Sequence, residues 1–175
     1  MNSRDYILQI FYFVVYLALQ IFLMRNMVLF DVAFCFVYIA FILLLPFDTS
    51  PVFLLFLGFS TGLLIDVFYD TLGIHAAAST VVAYFRTYVI RLNTPRGGYE
   101  QNARLTLQSM GMEWFAPYAL ILIFLHHAVL FFVEASQFNL FFFTLLKTVA
   151  STAFTFIVIV LIQYLFFSAK SRVNY

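Results

Sequence analysis

Two acids and a histidine, Asp66, Asp70 and His75, stand within ten residues of one another in a chain that is otherwise mostly hydrocarbon. An ionisable side chain in an apolar run is costly in lipid and marks a site with a purpose. Three chemistries fit these residue types. A carboxylate can hold the backbone amides that open a following helix, where the helix dipole favours an anion. The trio can contact a partner or ligand. It can also pass protons, but a relay needs a continuous polar path, and none is visible in the sequence. For Asp66 the helix-opening role is preferred. Asp66 falls one turn after Gly62 on the same helix face, and Asp70 one turn further on.

Gly58 and Gly62 are four apart, with Ser60 and Thr61 between them. Small residues at this spacing let another helix approach closely. The face is read as packing within the chain first, and against a partner second. His126 and His127 are adjacent, so on a helix they point about 100° apart and do not readily share one metal. Interhelical hydrogen bonds are the expectation for both. Glu134 and Lys147 are placed to pair across a loop or to face a partner. Arg86 and Arg91 are expected to snorkel toward lipid phosphates, and Asp31 to open a helix. The lone cysteine, Cys35, excludes an internal disulfide and reads as a small hydrophobe in a helix. The sequence has no P-loop, nucleophile elbow, zinc-protease helix or Cys-x-x-Cys. It therefore argues for no enzyme, no cofactor and no metal.

The elements that position these residues follow from composition. The chain has 175 residues, of which 65% are hydrophobic and 10% charged. Its mean hydropathy is +1.00. A soluble domain is about half apolar and a quarter charged, so this is an all-α integral membrane protein. Net charge is +1, which points to no nucleic-acid partner. Six apolar segments are expected as transmembrane helices. They run from about Tyr6 to Met24, Val28 to Leu45, Val52 to Phe68, Ile74 to Leu92, Trp114 to Val133 and Leu140 to Phe167. The unbroken runs exclude an alternating β-barrel. The first run is too long for a cleavable signal and reads as a retained span.

Seven of the nine Lys and Arg residues fall on one side if both termini are cytoplasmic, leaving Arg25 and Lys147 on the other. Trp114, Tyr118, Tyr164 and Tyr175 are placed as interface anchors. The loop from Asn93 to Glu113 is too short to fold alone. Its stretch Arg104 to Met110 is either a plain connection or a brief helix on the cytoplasmic leaflet. Residues 1–175 form a single transmembrane domain.

The run Gly58-Phe59-Ser60-Thr61-Gly62-Leu63-Leu64-Ile65-Asp66, followed by Leu72-Gly73-Ile74-His75-Ala76, resembles the rod shape-determining protein MreD family. Pro51 is a weaker match. The resemblance covers the second to fourth segments. It implies a non-catalytic bacterial inner-membrane scaffold of the cell-elongation machinery that makes peptidoglycan. Its implied partners are an MreC-like periplasmic protein, a RodA-like glycosyltransferase with its penicillin-binding transpeptidase, an MreB-like filament and membrane lipid. The family is also similar in fold to the substrate-binding subunits of energy-coupling-factor vitamin transporters. That supplies a rival expectation: a small-molecule pocket near the outer ends of the third to fifth spans. Gly58, Gly62, Asp66, Asp70 and His75 are the residues expected to carry packing or partner binding.

Overall fold

In the computed structural model of the protein, residues 3–99, 104–136 and 140–167 are described. Seven α-helices and one small hairpin fall among them. The first helix, α1 (Ser3–Ala18), runs into a π-helical stretch, Leu19–Met24. The wider π turn carries Gln20, which is buried, while Phe22 and Leu23 face outward.

The second segment departs from expectation. It is not a helix from Val28 to Leu45. Two short strands, β1 (Val28–Leu29) and β2 (Ala33–Phe34), form an antiparallel hairpin. Its turn holds Phe30 and Asp31 at positive φ, so Asp31 opens no helix. Irregular chain then leads to α2, five residues long (Ile39–Leu43). Cys35 lies on this irregular chain. The residues are β-branched and aromatic as often as they are helix formers. Burial inside the protein makes the irregular backbone tolerable, because neighbours can satisfy it. From Cys35 to Leu43 every residue is buried, at the centre of the fold.

The third helix, α3 (Pro51–Tyr69), starts as its sequence dictates. Ser50 caps it by accepting from the Phe53 amide, and Pro51 fills the first turn, where no amide is needed. Asp70 ends it in the left-handed conformation. A tight turn leads to α4 (Ile74–Leu92), which lies antiparallel against α3. Residues 93–99 and 104–106 connect to the short α5 (Leu107–Met110). Leu105 and Leu107 are buried and the Leu107 amide donates to Gln163. This segment is therefore tucked into the bundle, not laid on a leaflet. Helices α6 (Met112–Ala135) and α7 (Phe141–Phe167) follow.

Among the described residues four helical stretches are long and apolar enough to cross a membrane: Ile7–Met24, Pro51–Tyr69, Met112–Ala135 and Phe141–Phe166. Their outward faces are apolar, with Ile7, Phe22, Val67, Phe142 and Leu165 exposed. The architecture is that of an all-α membrane protein, but six uniform spanning helices are not what it contains. Helix α4 is long enough but less apolar, since it carries His75, Ser79 and Arg86, all of which turn inward. The bundle has two ends. One carries the β hairpin, the α3–α4 turn, the last turn of α6 and the first turn of α7, and is here called the hairpin end. The other carries Pro46, Asn93 and α5.

Candidate functional site

The glycine face of α3 is spent on α4. A Cβ at Gly58 would lie 2.8 Å from Ala83 Cβ and 2.9 Å from the Ser79 carbonyl oxygen. A Cβ at Gly62 would strike the His75 carbonyl oxygen and lie 2.5 Å from Ala76 Cα. The face is closed by the chain's own helix and offers no room to a partner span.

One turn on, Asp66 holds the start of α4. Its Oδ1 accepts from the His75 amide at 3.0 Å and from the Thr71 hydroxyl at 2.5 Å. Its Oδ2 accepts from the Ala76 amide at 2.9 Å. Gly73 supplies no side-chain cap, so Asp66 serves from the neighbouring helix. The carboxylate is buried with three donors at the positive end of the α4 dipole. Asp70 does not join this group. It is exposed and contributes the left-handed backbone that ends α3.

His75 belongs to a second cluster that the sequence reading did not assemble. The Tyr38 hydroxyl lies 2.7 Å from His126 Nε2, 3.0 Å from His75 Nδ1 and 3.2 Å from Ser79 Oγ. The other ring nitrogen of His126 is buried without a partner. An unpaired lone pair is cheaper there than an orphaned N–H, which assigns the proton to Nε2. His126 Nε2–H then donates to Tyr38, and Tyr38 O–H donates to His75 Nδ1. The polar chain stops at His126, so it forms no path across the protein. His127 points elsewhere. Its Nδ1 donates to the Ile123 carbonyl at 2.8 Å and its Nε2 lies 3.2 Å from Thr155 Oγ1. Phe36 fills the space between the three imidazoles, with ring centroids 5.2 to 6.0 Å away. Among the described residues no three His, Cys, Asp or Glu side chains are grouped to hold a metal.

The irregular second segment is satisfied by side chains. Gln20 donates to the Cys35 carbonyl at 3.1 Å and to Tyr69 Oη at 2.6 Å, and its Oε1 accepts from the Tyr38 amide. On the other side α7 stands in for a missing strand. Ser151 Oγ accepts from the Phe34 amide at 2.9 Å, and Thr155 Oγ1 from the Phe36 amide at 3.1 Å. The spacings agree. Two residues of extended chain advance about 6.6 Å, and four residues of helix rise about 6 Å.

Arg86 departs from the snorkelling expectation. It is 1% exposed and turns inward. Its Nη2 donates to the carbonyls of Leu45 and Pro46, and its Nε to the Tyr118 hydroxyl at 3.1 Å. Tyr118 in turn donates to the Leu43 carbonyl at 2.8 Å. The two side chains serve the carbonyls at and just beyond the end of α2, which the broken segment leaves without helical partners. Tyr118 is therefore buried and is no interface anchor. Trp114 donates its indole N–H to the Asn93 carbonyl at 2.6 Å, Tyr164 is exposed, and Tyr175 lies outside the described residues.

At the hairpin end the elements leave a cavity of about 280 Å³. His75, Tyr69, Arg25, Lys147 and Glu134 contribute polar groups to it, as do Asn26 and Thr71, and Phe34, Phe36, Phe131 and Leu130 give apolar walls. Lys147 Nζ pairs with Glu134 Oε2 at 2.9 Å. The same ammonium lies 4.5 and 4.2 Å from the ring centroids of Phe34 and Phe131. Arg25 stacks over Tyr69 at 5.5 Å. Gln20, Tyr38, Ser151 and Thr155 had one sequence signal, a polar side chain in an apolar run. Thr144, Thr148, Ser151 and Thr155 also repeat at the spacing of one helix face. No protein-family model matches this chain, and no curated protein or solved structure matches it either.

Proposed function

We propose that this chain is a non-catalytic bacterial inner-membrane scaffold of the cell-elongation machinery, holding the transmembrane helices of partners. The observation that carries the reading is the use made of the MreD-like motif. Gly58, Gly62 and Asp66 all build the α3–α4 hairpin, and His75 ties it to the second segment. A motif spent on fold is what a scaffold family would share. Partner helices then meet the apolar outer faces, not the glycine face. The partners are an MreC-like protein, a RodA-like glycosyltransferase with its transpeptidase, and through them an MreB-like filament. In this reading the chain crosses the membrane six times, with both termini cytoplasmic. The second crossing is the broken segment, which begins beside Lys147 at the hairpin end and finishes beside Arg86 at the other. The hairpin end faces outward. Affinity purification of the tagged chain from its native host tests the reading. Recovery of elongation proteins is expected, as is loss of cell shape on depletion. Recovery of an ATPase in their place, with shape unchanged, would overturn it.

The outer cavity specifically favours a second reading, a small-molecule-binding subunit of a transporter. A ligand site needs a concave, mostly apolar space with a few convergent polar groups, and the cavity supplies both.

A further inference from the structure

The groups that line the hairpin-end cavity are unequal in kind. Arg25 and Lys147 bring two cations against the single carboxylate of Glu134. Lys147 is already paired with that carboxylate, and its ammonium is fixed between two aromatic faces. Arg25 has no carboxylate within ion-pair distance among the described residues, so the lining carries one positive charge in excess. The neutral groups lean the same way. Tyr69 accepts from Gln20 and keeps its own hydroxyl proton to donate. His75 accepts at Nδ1 from Tyr38, which puts its ring proton on Nε2. Asn26 can donate or accept, and Thr71 gives its hydroxyl proton to Asp66, so four groups that donate face one acceptor-only group, itself engaged. A cation would find no free carboxylate there, and a sugar would find few acceptors. The walls are apolar rings and aliphatic chains. At about 280 Å³ the space lies at the small end of ligand pockets.

We propose that this cavity binds a singly charged oxyanion borne on a small apolar body, with Arg25 as its counter-charge. The inference rests on the second reading only in that the cavity takes a ligand. It needs no transport and leaves the scaffold intact. Two sources offer this chemistry: a soluble carboxylate and the phosphodiester of a lipid headgroup.

The test is the thermal unfolding midpoint of the full chain in neutral detergent, titrated with four probes. Phenylacetate stands for the soluble anion and dioleoylphosphatidylglycerol for the lipid. Phenethylamine and 2-phenylethanol carry the same ring with a cation or no charge. A saturable rise with either anion is expected, and the active one names the source. Arg25 is exposed, so Arg25→Gln should fold, and it should weaken the anion about tenfold, the scale of one charged hydrogen bond. Glu134→Gln should strengthen it, because it removes the only carboxylate and frees Lys147. Unaltered affinity in Arg25→Gln, or a rise with neither anion, would overturn the proposal. If the amine or the alcohol acts instead, the anion class fails while the cavity stands as a ligand site. If none of the four acts, both fail.

Discussion

Adding one methyl group at Gly62 should separate two helices. The Cβ of Gly62→Ala would lie 2.5 Å from Ala76 Cα and 2.6 Å from Ala76 N. Ordinary contacts between such atoms are about 3.5–4.0 Å. The obstacle is backbone, so no rotamer change relieves it, and α4 must withdraw by about 1 Å. Asp66 sits one turn away and holds the His75 and Ala76 amides at 3.0 and 2.9 Å. A withdrawal of that size stretches both bonds to about 4 Å, beyond hydrogen-bonding range. Hydrogen bonds to a charged group contribute about 1.5–3 kcal/mol each. A total loss of about 3 kcal/mol is therefore expected, since part of the clash is relieved as the bonds break. For a chain of this length that is a fall of about 6–12 °C in unfolding midpoint. The assay is the fraction of monodisperse protein remaining after heating in detergent. Gly58→Ala is the internal control. Its Cβ meets a side-chain methyl, Ala83 Cβ at 2.8 Å, and the Ser79 carbonyl oxygen at 2.9 Å. Its loss should be smaller, and adding Ala83→Gly should recover part of it. No side-chain truncation should rescue Gly62→Ala. A wild-type midpoint for Gly62→Ala would refute the close packing and the coupling to Asp66.

Asp66→Ala should cost more than Thr71→Val in the same assay, because the first removes the acceptor of three donors and the second removes one donor. Tyr38→Phe should lower stability by about 1–3 kcal/mol, the cost of leaving buried polar groups unpaired, and equal stability would remove the hydroxyl from the centre of the histidine cluster. Arg86→Lys should fall well short of wild type, since an ammonium cannot reproduce the forked contact with two carbonyls and Tyr118. Full stability in Arg86→Lys would show that the charge alone suffices.

Much of the helical framework is legible in the sequence. The expected third and fourth segments coincide with α3 and α4 to within a residue or so, and the last two with α6 and α7 to within a turn. Caps such as Ser50-Pro51 and the left-handed turn at Asp70 and Gly73 set those limits locally. The second segment escaped because an apolar run of eighteen residues matches the length of a spanning helix, and a run apolar on every side has no period that separates helix from buried irregular chain. Its content of Val, Phe and Tyr was a signal in the other direction. Asp66 was legible because the connection between α3 and α4 is short, which brings an acid near the end of one helix to the amides that open the next. Arg86 was misread because a cation near a helix end looks alike whether it turns out to lipid or in to carbonyls. What decides is the broken end of α2, which lies about forty residues away in sequence. The Tyr38 cluster joins three separate elements, and no local spacing announces it.

The seam between β2 and α7 bears on the order in which the protein can be completed. Phe36 and the Thr155 hydroxyl that receives its amide are 119 residues apart. At synthesis rates of about 5–20 residues per second, roughly 6–24 s separate the emergence of one from the other. During that interval the amides of Phe34 and Phe36 have no acceptor from α7. A uniform helix would carry its acceptors with it and could settle as soon as it was made. This segment lacks those two acceptors until α7 arrives. The second segment is thus kinetically dependent on α7.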